Sequence, residues 1–197
     1  MKEYKNHIIQ QNYFSFLNQT NNLILYAADS IPIDHQKRKF GPDTIAGLGL
    51  PNKINNMYDY QMATGFGYTR LQHLAIISIC SDTEFLLKDI CENYFKLEKK
   101  TKNYYQKLDV VNTEIFLPRN IDLILLDSFN TLKLGFQLRH IFVHNMGFVD
   151  EAFNKNTNSN FPVDTQFPLT REIMSKQINA FEQLLADLDE KLNFNYD

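Results

Sequence analysis

The sequence predicts an all-α fold, a bundle of four main helices plus short helices. Apolar residues recur at three- and four-residue spacings over four long stretches, as amphipathic helices require. No run of six or more residues alternates cleanly between apolar and polar, and no internal repeat stands out. Five of the seven glycines and three of the six prolines crowd into residues 31–67, leaving the periodic stretches almost free of helix breakers.

The chain has 197 residues, a length at which roughly 70% of the unfolded surface can be buried, so one domain spanning residues 1–197 is expected. Its 44% hydrophobic and 22% charged residues match an ordinary globular composition and exclude disordered or fibrous classes.

The first helix is expected over residues 4–28, where Ile8, Ile9, Phe14, Phe16, Leu17, Leu23, Ile24 and Leu25 form the apolar pattern. Residues 31–67 read as a long irregular connection with at most short helical pieces, and connections of that length are functional or mobile when they occur in compact domains. Residues 68–99 form the second helix, with a wide apolar face from Leu71 to Phe95 and no Pro or Gly inside. A polar, lysine-rich stretch follows. Pro118, favoured in a first turn where its missing N–H is not needed, is expected to open the third helix over residues 119–145, with Asn145 and Gly147 as stop signals. Residues 154–160 hold five Asn and Ser and read as a turn-forming or disordered loop. Thr170 is placed to cap the fourth helix, whose apolar stripe runs from Ile173 to Leu192.

The formal charge of -3 argues against a broad footprint for duplex DNA, an affinity built from many cations neutralising phosphates. Cys80 and Cys91 have no second pair or His cluster at zinc-ligand spacing and read as reduced core thiols. The start of the chain lacks the apolar core of a signal peptide, and no run of about 18 apolar residues exists for a membrane span, so a cytoplasmic location is expected.

One segment carries chemistry. In residues 138–145, Arg139, His140, His144 and Asn145 punctuate an otherwise apolar helical run. His140 and His144, four apart, share a face, whereas Arg139 and His144 stand about 140° apart on an ideal helix. A regular helix therefore does not aim Arg139 and His144 at one atom unless it ends nearby or a second copy completes the pocket. His144 falls in the last turn, where the negative end of the helix dipole favours a cation. Such an imidazole can move protons in phosphodiester cleavage, and an arginine can hold phosphate bidentately. With five arginines and five histidines, an Arg followed five positions later by a His arises about 0.13 times by chance in a chain of this length. The spacing alone is weak evidence of chemistry and favours a structural role, capping carbonyls or bridging helices.

The wider context, LRHIFVHNMGFVD over residues 138–150, resembles the signature of HEPN-domain proteins: an Arg, a polar residue (His140), an apolar triplet (Ile141, Phe142, Val143), then His144-Asn145, Gly147 and the acidic Asp150-Glu151. Ser81-Asp82-Thr83-Glu84-Phe85-Leu86 is similar to the acidic-aromatic helix found upstream in several such families. The resemblance covers residue 68 to the C-terminus. It implies a HEPN-like helical bundle that forms a homodimer with two motifs facing one cleft, and a metal-independent endoribonuclease, without cofactors, of a toxin–antitoxin or phage-defence system. It would make Arg139 the group that binds the scissile phosphate and His144 the general acid or base. His140 and Asn145 would orient them or hold phosphate, RNA would be the substrate, and an antitoxin protein a further partner. In members silenced by a nucleotidyltransferase antitoxin a Tyr stands two positions after the His; this chain has Met146 there. The alternative is a catalytically inactive HEPN-like helical module that binds a protein partner or nucleic acid.

Other features read as structural. Lys37-Arg38-Lys39 is a solvated loop, and Tyr104-Tyr105 a pair of partly buried anchors. His7, His35 and His73 stand without acidic or Cys partners at ligand spacing, so no metal is assigned. Gly65-Phe66-Gly67 lacks the strand and the Lys-Ser/Thr of a phosphate loop.

Overall fold

Residues 2–23, 37–43, 53–64, 69–101 and 103–194, with Gly47 and Gly49, are described by a computed structural model. The first helix starts because Asn6, in extended backbone, turns its side-chain carbonyl onto the N–H groups of Ile8 and Ile9, donors with no partner inside the first turn. Helix α1 (His7–Phe16) runs on as a π-helical turn over Leu17–Asn21. Its buried stripe is Ile9, Asn12, Tyr13, Phe16 and Thr20, while Phe14 stays 39% exposed. Residues 24–28 of the expected helix lie outside the described residues, as do most of the 31–67 connection and Gly65-Phe66-Gly67. Within that connection, α2 (Met57–Thr64) is a short helix.

Helix α3 (Thr69–Asp89) is extended by a π-helical turn over Ile90–Tyr94. It stops short of residue 99, because Lys96 takes a left-handed φ of 56° that a helix cannot continue through. The chain then departs from expectation. A 3₁₀ turn at Tyr104–Gln106 leads into α4 (Leu108–Val111), which continues as a π-helical turn over Asn112–Phe116 and a 3₁₀ turn over Leu117–Arg119. Pro118 sits in that last turn, and left-handed Asn120 ends it. Pro118 therefore closes one short helical segment and does not open the next. Helix α5 (Asp127–His144) begins at Asp127, later than residue 119. Leu108, Val111, Ile115 and Phe116 bury one stripe here, and buried Asn112 bridges to Asp122 and to the Leu123 N–H at 3.0 and 2.7 Å.

A second correction concerns residues 154–160. Helix α6 (Glu151–Thr157) takes up half of them. Asp150 caps it by accepting from the Phe153 N–H at 2.6 Å, Phe153 is 1% exposed, and left-handed Asn158 terminates the helix. Cap and anchor outweigh the turn preference of the asparagines. Helix α7 (Arg171–Phe194) starts as expected, with Thr170 Oγ1 accepting from the Ile173 N–H at 3.2 Å.

The four long helices close a ring. Helix α3 packs against α1 and α5, α7 packs against α5 and α1, and α3 also touches α7. Phe16, Ile76, Ile79, Leu86, Phe129, Leu132, Phe142, Phe181, Leu184 and Leu188 fill the centre. Gln177 is polar yet fully buried in this core. Its Nε2 donates to the Thr131 carbonyl at 2.8 Å, and its Oε1 lies against Gly135, where a Cβ would collide with it. Cys80 and Cys91 are free and buried, and burial pushes both thiols up, Cys91 to about 12. Among the described residues the only β pairing is two isolated bridges, Lys39 with Asn56 and Phe148 with Gln166.

Candidate functional site

The end of α5 is built to stop sharply. The Asn145 and Gly147 N–H groups both return to the Ile141 carbonyl at 2.9 Å, and the Phe142 carbonyl accepts from Arg70 Nη1 at 3.2 Å. Met146 and Gly147 take left-handed φ angles of 55° and 92°. At Gly147 a Cβ would also fall 2.6 Å from His73 Cε1, so conformation and packing both require glycine there. The stop leaves His144 in the last turn, as expected.

Leu138, Ile141 and Phe142 point into the core, which turns Arg139, His140, Val143 and His144 outward. With Phe136 and Gln137 of α5, Gln106 and Asn156, they line one cleft of about 340 Å³. Arg139 and His144 stand at opposite edges of this helical face, the separation of about 140° that ideal geometry gives. The cleft is wide enough to take in both edges. The His140 and His144 rings sit 4.9 Å apart, tilted by 50°.

Arg139 does not project freely. Its Nη1 pairs with Glu84 Oε1 of α3, with the two side chains 25% and 18% exposed. The other carboxylate oxygen of Glu84 accepts from Gln106 Nε2 at 3.1 Å. Across the cleft, Asn156 Nδ2 of α6 donates to Gln137 Oε1 at 3.1 Å. The cleft is thus framed by α5, the 104–106 turn and α6, with Glu84 reaching in from α3 to hold the arginine.

Asn145 is the expected site residue that the cleft leaves out. Its side chain donates to Asp150, the cap of α6, and ties the end of α5 to the start of α6. Glu84, Gln106, Gln137 and Asn156 were missed at the level of sequence. Glu84 lay in the acidic segment 81–86 that carried part of the resemblance; nothing in the order of residues singles out the other three.

His73 lies directly behind the site. It is 2% exposed, stacks on Phe142 with centroids 3.9 Å apart and planes at 8°, and leaves Nδ1 without a hydrogen-bond partner. Burial, and then the charge of Arg70, hold it down near about 4, below the 6.5 of a free imidazole. The unfolded chain therefore binds this proton first. The neutral ring contributes stability that is fully present above pH 6.5 and is lost as pH falls through 4, by up to about 3 kcal/mol. His73→Phe keeps the ring stack and removes the titration. The stability of wild type relative to His73→Phe should therefore fall as pH falls through that window in denaturant melts; a pH-independent difference would refute it. Asp82, raised to about 6 by burial, moves the opposite way but is common to both proteins.

Lys37, Arg38 and Lys39 are exposed, and Tyr104 and Tyr105 are half-buried and buried. Lys37 sits over the Tyr58 ring at 5.6 Å. Tyr105 is 4% exposed, and the Tyr104 hydroxyl donates to Glu114 at 2.7 Å. Among the described residues no three His, Cys, Asp or Glu are grouped to hold a metal ion, and no helix is long and apolar enough to cross a membrane. Comparison with known proteins finds no match: no family model, no curated protein and no solved structure.

Proposed function

We propose that the protein is a metal-independent endoribonuclease of HEPN type, working as a homodimer in a toxin–antitoxin or phage-defence setting. The observation that carries this reading is that Arg139, His140 and His144 line one open cleft, within a segment whose residue order resembles the HEPN signature. Imidazole is the side chain whose ordinary titration spans neutral pH, as proton transfer at a ribose hydroxyl requires. In this scheme His144 takes the proton from the 2′-hydroxyl, whose oxygen forms a bond to the adjacent phosphorus. The bond from phosphorus to the 5′-oxygen breaks, and that oxygen gains a proton from a second imidazole, for which His140 stands nearby. Arg139 offsets the charge that builds on the phosphorane. Glu84 and Gln106 are positioning residues that hold the guanidinium. Leu74, Val143 and Met146, each 47–59% exposed around the end of α5, are apolar surface for a second copy to cover.

A second reading rests on one observation. The Arg139–Glu84 pair already gives the arginine a structural partner, as a non-catalytic helical module binding a protein or nucleic acid would have it. Purified protein incubated in EDTA with single-stranded and structured RNA separates the two. Products with 2′,3′-cyclic phosphate ends are expected; a folded, dimeric protein that leaves both RNAs intact would favour the module.

A further inference from the structure

The groove at Arg139 and His144 does not end at Gln106. A second pocket of about 240 Å³ opens between residues 107–110 and the 133–137 face of α5, and it shares Gln106, Phe136 and Gln137 with the first cleft. The two form one continuous groove that runs along α5 from His144 toward its N-terminal half.

The second pocket differs in charge from the first. Lys107 is exposed and has no ion-pair partner among the described residues. Lys133 meets Asp109 at 2.6 Å, with side chains 38% and 60% exposed, and an exposed pair of this kind is weak and open to exchange with another anion. Two cations thus face one carboxylate. Exposed Lys96, Lys99 and Lys100, with exposed Glu98 among them, leave a net positive charge on the connection that leads to Lys107. Phe136, half-buried, belongs to the wall common to both pockets and offers an aromatic face.

Cations beside an aromatic face, continuous with a phosphodiester-competent cleft, match an unpaired nucleotide, whose base is free to stack. We propose that this second pocket is a subsite for a nucleotide neighbouring the scissile one in single-stranded RNA, its base on Phe136 and its phosphate on Lys107 and Lys133. The proposal rests on the ribonuclease reading above and specifies its substrate.

The test compares wild type with the Lys107→Ala/Lys133→Ala double variant and with Phe136→Leu. Cleavage is followed on a dinucleotide, which fills only the first cleft, and on a single-stranded RNA of about ten nucleotides. Binding of the longer RNA is read by fluorescence anisotropy on His144→Ala forms. Neither lysine is buried, so the double variant should melt as wild type does. For the longer RNA, KM should rise about ten-fold in the double variant, with kcat and dinucleotide cleavage unchanged, and about five-fold in Phe136→Leu, whose ring lines both pockets. The dependence of binding on salt should also weaken, by about 0.7 in the log–log slope for each phosphate that the lysines no longer neutralise.

An unchanged KM on the longer RNA, with cleavage intact, overturns the subsite and leaves the ribonuclease reading standing. RNA bound through the lysines by a protein that cleaves nothing keeps the groove as a nucleotide site and overturns the ribonuclease reading. RNA neither bound nor cleaved overturns both.

Discussion

Replacing His144 by alanine is expected to slow RNA cleavage by about two to four orders of magnitude, the usual contribution of a positioned proton carrier. The fold should be indifferent. His144 is exposed in the last turn of α5, and its one ring contact among the described residues is His140. Single-turnover cleavage measured beside a thermal melt reads both quantities, and the expected pattern is a lost rate with a melting temperature within a degree or two of wild type. A variant that still cleaves at the wild-type rate would remove His144 from the chemistry and move the proton transfer to His140.

Arg139→Ala is the second large effect, and it divides into two parts. Cleavage should fall by about two to three orders of magnitude through loss of charge stabilisation at phosphorus. Stability should also fall, by about 1–3 kcal/mol, because Glu84, only 18% exposed on its side chain, keeps Gln106 and loses its cation. Adding Glu84→Gln in the same chain removes the stranded charge. The double variant should regain most of the stability and none of the cleavage, a split that denaturant melts and single-turnover rates resolve. If stability and activity return together, Arg139 serves the fold alone.

The four long helices were legible because each carries a stripe of buried apolar residues at helical spacing, and Thr170 and Gly147 mark boundaries by geometry that only certain residues satisfy. Helices α4 and α6 were not. In α4 the stripe of Leu108, Val111, Ile115 and Phe116 is broken by a change from α to π winding, which defeats a fixed period. In α6 the asparagines hide a helix held by one cap and one phenylalanine. At the site, His140 and His144 could be placed on one face of the helix, with Arg139 about 140° from His144, from spacing alone. Glu84, Gln106 and Asn156 could not, since tertiary packing brings them to the cleft from α3, the 104–106 turn and α6. Asn145 stands outside the cleft for a related reason: its partner, Asp150, caps the next helix.

On the proposed ribonuclease reading, the pairing of Arg139 with Glu84 would divide the encounter with RNA between two sets of residues. A cation already matched by a carboxylate presents little more than a local dipole to an approaching chain, whereas Lys99, Lys100 and Lys107 act over the screening length of about 8 Å at physiological salt. The speed of association would then belong to the lysines, and the arginine would enter only after contact, when phosphate displaces the carboxylate. Residence time would be governed by that exchange. A phosphate at Arg139 would have to offset the carboxylate that it displaces, so Glu84 would set how long it stays.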